Sequence, residues 1–115
     1  KLLSIGFENF GKEVEHVSIE DIALINYTGR DNNLPVQEVV KIQEKLAKEV
    51  DFIVLNLDKK LDMDEAFLLQ LAYTNSTPIF GVGEKLPNDF VGGLTTNTFD
   101  SPSELITHIR DYYLL

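Results

Sequence analysis

Residues 51–83 read DFIVLNLDKKLDMDEAFLLQLAYTNSTPIFGVG. Phe52, Ile53, Val54, Leu55 and Leu57 form a short apolar run broken only by Asn56, the pattern of an inner strand covered on both faces. The run ends in Asp58, and an apolar helix is expected over about residues 62–74. In that helix Met63, Ala66, Phe67, Leu68, Leu69, Leu71, Ala72 and Tyr73 leave almost no polar face, so burial in the core or against a partner is expected. Thr77 and Pro78 stop it, and Ile79, Phe80, Gly81 and Val82 make another short inner strand.

The same alternation extends outward. Leu2, Leu3, Ser4, Ile5, Gly6 and Phe7 read as a first strand running into a glycine turn. The next segment admits two readings, a short helix near Gly11 or an extended piece through Val17 and Ile19. Ile22, Ala23, Leu24, Ile25, Asn26 and Tyr27 form a second strand ending at Thr28 and Gly29. Pro35 suits the first turn of an amphipathic helix, where Val36, Val39, Val40, Gln43, Leu46, Ala47 and Val50 recur at helical period. Residues 83–97 have the composition of a long loop, and Thr98 and Phe99 can add a short strand. Ser101, Pro102, Ser103 and Glu104 open a last helix as a capping box, with an apolar stripe of Leu105, Ile109, Tyr112 and Tyr113. The sum is a three-layer α/β fold of the flavodoxin or Rossmann-like kind, with a mainly parallel sheet of about four or five strands. One domain is expected over the whole 115 residues.

Composition narrows the partners. Ten basic against nineteen acidic residues leave a net charge of −9, which opposes binding to nucleic acid or to an anionic membrane. No apolar run approaches membrane-span length, and no signal-peptide pattern opens the chain. It begins at Lys1 instead of Met, as expected of a processed or trimmed start. With no cysteine and only His16 and His108, neither a metal site nor a cofactor is expected, and a reducing, cytoplasmic setting fits.

In an open parallel sheet, ligands bind at the carboxyl ends of the strands where strand order reverses. That rule nominates residues 6–9, 28–33, 58–65 and 83–93. Gly81 and Gly83 begin a dinucleotide fingerprint that Leu86 breaks, and no phosphate loop is complete. Arg30 can fork onto a carboxylate or phosphate, although pairing with Asp31 explains it as well. Asp62 and Glu65 have the spacing of a helix cap with a reciprocal carboxylate.

Taken in order, a strand ending in Gly6 and Phe7, an Arg30-Asp31 loop, DFIVLNLD, an acidic helix start, an Ala72-Tyr73 helix and TPIFGV resemble the nucleoside 2-deoxyribosyltransferase family and the related nucleotide N-glycoside hydrolases. The resemblance implies a nucleoside or nucleotide ligand, with substrate contacts from Gly6, Phe7, Arg30, Asp31 and Asp58. In the family's helix motif, D-x-G-T-x-x-E, Asp62 matches the aspartate that contacts the base, whereas Leu68 falls on the glutamate that attacks the anomeric carbon. Asp64 and Glu65 replace the Gly-Thr. A leucine cannot attack or stabilise an oxocarbenium-like centre. Glu65, three residues earlier on nearly the same helix face, is the substitute nucleophile. The alternative is a non-catalytic relative that binds nucleotides or assembles as a homo-oligomer through helix 62–74.

Overall fold

The computed structural model describes residues 1–14, 23–29, 32–84 and 89–113. In chain order the elements are β1 (Leu2–Ile5), α1 (Phe10–Glu13), β2 (Leu24–Tyr27), α2 (Val36–Glu49), β3 (Phe52–Asn56), α3 (Met63–Thr74), β4 (Ile79–Val82), α4 (Asp89–Leu94), β5 (Asn97–Phe99) and α5 (Pro102–Tyr113). The five strands form one sheet in the order β2-β1-β3-β4-β5, every described pairing parallel. Leu3 stands opposite both Ile25 and Ile53, and Ile53 opposite Ile79, so the apolar runs coincide across the central strands.

Successive strand residues point to opposite faces, and both faces are covered. Leu3, Ile5, Ile53, Leu55 and Ile79 pack against Ala47 of α2, Leu68, Leu69 and Ala72 of α3, and Val91 of α4. Leu2, Val54, Phe80 and Val82 pack against Phe10 of α1 and Leu105, Ile106 and Ile109 of α5. The result is the expected three-layer α/β architecture.

Four expectations change in detail. The segment 83–97 contains a helix where a loop was expected: Val91 is buried in the core, which anchors α4 despite Gly92 and Gly93. The apolar character of α3 does not mean burial all round. Glu65, Leu68, Leu69 and Ala72 face inward, while Met63 is 89% exposed and Phe67 40% exposed. On α5, Ile106 joins Leu105 and Ile109 in the core, and Tyr112 is 75% exposed, whereas Tyr113 sets its ring edge-on to Phe52 of β3 at 5.1 Å between centroids. Pro35 occupies the cap position, and α2 begins at Val36. The extended alternative through Val17 and Ile19, along with His16, lies outside the described residues.

Candidate functional site

Strand order reverses between β1 and β3, since β1 connects outward to β2 and the chain then crosses back. A crevice at the carboxyl ends of the strands is expected beside that point. A cavity of about 420 Å³ opens there, lined by Gly6, Phe7 and Glu8 after β1, Tyr27, Thr28 and Gly29 at the end of β2, and Lys59, Asp62 and Glu65 before and within α3. Its size suits a small molecule.

Gly6 is held by its surroundings. Its φ of +88° is a conformation that L side chains rarely adopt, and an added Cβ would lie 3.0 Å from Asn56 Cβ. Asn56 Nδ2 donates to the Gly6 carbonyl at 3.0 Å, while Asn56 Oδ1 accepts from the Asp58 N–H at 3.0 Å. One polar side chain at the end of an inner strand thereby orders the loops after both β1 and β3.

Asp62 is the N-cap of α3, and its N–H donates to Glu65 Oε1 at 2.9 Å in a reciprocal capping box. The two acids thus satisfy backbone donors that a helix start leaves open. Glu65 is only 4% exposed and still lines the cavity; its Oε2 lies 3.8 Å from Lys59 Nζ. Capping and an inward position coexist because the carboxylate has two oxygens. Among the described lining residues Lys59 is the cation, against the acids Glu8, Asp62 and Glu65.

Asp58 does not line this cavity. Its Oδ2 accepts from the Glu84 N–H at 3.4 Å, and a Cβ on Gly83 would meet its carboxyl group at 2.9 Å. It therefore joins the ends of β3 and β4. Leu68 is fully buried in the core beneath α3, away from the cavity. Arg30 and Asp31 lie outside the described residues. The cavity thus brings together Gly6, Phe7, Asp62 and Glu65 of the expected set.

Several side chains here escaped the sequence reading. Tyr27 lines the cavity and donates its hydroxyl to Asp64 Oδ2 at 2.5 Å; Gln43 Nε2 donates to the Tyr27 hydroxyl at 3.0 Å and to the Asp64 carbonyl at 3.1 Å. Burial, then the hydrogen bond to Asp64, push the Tyr27 phenol up to about 12. The signal for this cluster was Gln43 within an apolar stripe, and Asn56 within an apolar strand signalled the separate bonds to Gly6 and Asp58, since buried polar groups need partners. No group of metal-ligating side chains occurs among the described residues.

Fold and crevice together define a parallel α/β protein with a small-molecule-sized site at its switch point. No protein-family model matches the sequence, and a search of curated proteins found no match. Among solved structures the chain is similar to the CMP N-glycosidase BcmB of Clostridium botulinum, at 14% identity over 97% of this chain and 99% of that one, with a TM-score of 0.60. At that identity the likeness is one of fold.

Proposed function

We propose that this chain binds a nucleoside or nucleotide in the cavity beside β1 and β3 and cleaves or transfers its N-glycosidic bond. The observation that carries the reading is Glu65, a buried carboxylate that lines the cavity with one oxygen committed to the helix cap and the other facing Lys59. In this reading Glu65 Oε2 attacks the anomeric carbon, the C–N bond breaks, and its electron pair leaves with the base, which takes up a proton. Water or a second base then attacks the same carbon and releases Glu65. Asp62 contacts the base at the rim, Gly6 and Phe7 form the wall after β1, and Lys59 attracts an anionic substituent such as a phosphate. Arg30 and Asp31, which directly follow the lining residue Gly29 in sequence, are assigned to the substrate as well. Similarity in fold to a CMP N-glycosidase supports a nucleotide as the first substrate to test.

The reading is of one domain acting in the cytoplasm on a small molecule, without nucleic acid, metal or cofactor. The net charge of −9 supports the absence of a polyanionic partner, and no helix among the described residues is long and apolar enough to cross a membrane. Assembly as a homo-oligomer through α3 is supported by the exposed Met63 and Phe67, which with Val36 and Val39 of α2 line an outer groove.

The test is incubation with CMP, other nucleoside monophosphates and deoxynucleosides with an acceptor base, reading released or exchanged base by chromatography. Base release by the wild-type chain, abolished in Glu65→Gln, is expected. A wild-type chain that releases no base, or full activity in Glu65→Ala, overturns the reading. A second reading, nucleotide binding without turnover, is favoured by the burial of Leu68 at the family's glutamate position. It predicts a thermal shift with CMP and no base release.

A further inference from the structure

The family motif has glycine where this chain has Asp64, so the Asp64 carboxylate has no counterpart there. In the structure it has a partner on another element. The Tyr27 hydroxyl, at the end of β2, donates to Asp64 Oδ2 at 2.5 Å, and Gln43 from α2 donates through one amide nitrogen to both the Tyr27 hydroxyl and the Asp64 carbonyl. Gln43 is 4% exposed, so these bonds lie in the seam between α2 and α3, where an unpaired amide would be costly. Asp64 immediately precedes Glu65 in the first helical turn of α3. Tyr27 itself lines the cavity that Glu65 lines.

We propose that Tyr27 is a positioning residue: together with Gln43 it clamps Asp64, and through Asp64 it fixes the first turn of α3 so that Glu65 presents Oε2 to the cavity. The capping bond between the Asp62 N–H and Glu65 Oε1 orients Glu65 within its own helix, but it cannot orient the helix start against the sheet. The clamp supplies that second constraint from β2 and α2. A reactive group held by packing and a supporting hydrogen-bond shell keeps its geometry better than one on an untethered helix end. The phenol remains protonated at neutral pH, as a donor to a carboxylate must. The kinetic half of this inference rests on Glu65 being the attacking carboxylate; the structural half does not.

The experiment compares wild type, Tyr27→Phe, Asp64→Ala, the double variant and Asp64→Asn, which keeps an oxygen to accept from Tyr27. Amide hydrogen exchange at Asp62 and Glu65 reads the clamp, with overall unfolding followed separately by circular dichroism. Exchange at these amides is expected to speed up roughly tenfold in Tyr27→Phe and Asp64→Ala, the scale of one lost hydrogen bond. The double variant should resemble either single one, since both remove the same contact, and Asp64→Asn should regain most of the protection lost in Asp64→Ala. With CMP as substrate, kcat should fall about tenfold in Tyr27→Phe while KM changes by less than about twofold, because orientation and not binding is lost. Unchanged exchange at Glu65 in Tyr27→Phe, or fully additive effects in the double variant, overturns the clamp. If wild type releases no base, the glycosidic reading fails by itself, and the exchange data still decide the clamp. Lost protection with unchanged kcat overturns its catalytic half.

Discussion

The Asp62 N–H and Lys59 Nζ approach different oxygens of Glu65, one at 2.9 Å on Oε1 and the other at 3.8 Å on Oε2. One carboxylate thereby closes a helix start and faces a cavity. Substitution separates the two roles. Glu65→Gln retains an oxygen that accepts from the Asp62 N–H, so it should unfold within about 1 kcal/mol of wild type while base release falls by several orders of magnitude. Asp62→Ala removes the cap side chain and should cost about 1 kcal/mol. Thermal denaturation beside a base-release assay checks both.

Leu68 tests the placement of α3 against the sheet. Its side chain is fully buried among Leu3, Ile53 and Leu69. Leu68→Glu should therefore create no activity and should destabilise the fold by several kcal/mol, since the carboxyl enters an apolar core without a partner. Leu68→Ala should cost about 2–5 kcal/mol through cavity formation. Chemical denaturation measures both; a stable and active Leu68→Glu would contradict the placement of this side chain.

Gly6 joins β1 to the cavity at a φ of +88°, with Asn56 Cβ 3.0 Å from where its own Cβ would be. Gly6→Ala should be destabilising by about 1–3 kcal/mol, combining the conformational penalty with displacement of Asn56. The accompanying loss of the Asn56 bond to the Gly6 carbonyl should also weaken nucleotide binding, measured by calorimetry.

The Tyr27 phenol titrates near 12 in the folded chain against an ordinary value of 10.0. A raised folded value means that the folded state holds its proton where the unfolded state has lost it. Its contribution to stability is therefore complete below about pH 10 and is lost as the pH rises through about 12. Tyr27→Phe should remove that component of the alkaline stability loss. Denaturation curves across this range, with tyrosinate absorbance followed in parallel, provide the check.

Met63 and Phe67 leave apolar surface on the outer side of α3. If α3 meets a second copy, Met63→Asp should shift the sedimentation of the chain to that of a monomer and leave its far-ultraviolet circular dichroism unchanged. A wild-type chain that already sediments as a monomer at micromolar concentration removes the assembly proposal.

Layer order and most elements could be read from residue pattern. Apolar runs such as 52–57 and 79–82, separated by a segment of helical length, specify parallel inner strands because their side chains must be covered on both faces. The Asp62 and Glu65 spacing predicted the cap, which depends only on contacts within one helical turn. Helix α4 was hidden because its glycines mimic a loop and its anchor, Val91, acts through a distant contact with the core.

The sequence by itself determined the parallel α/β layering, the acidic helix start and an apolar residue, Leu68, on the inner face of α3. Only the tertiary structure decided that Glu65 faces the cavity while it caps, that Asp58 instead joins β3 to β4, and that Tyr27 and Gln43 reach Asp64. The division follows the range of the interactions. Periodicity and capping are written in neighbouring residues, whereas which carboxylate enters a crevice depends on strand order and on side chains brought together from β2, α2 and α3.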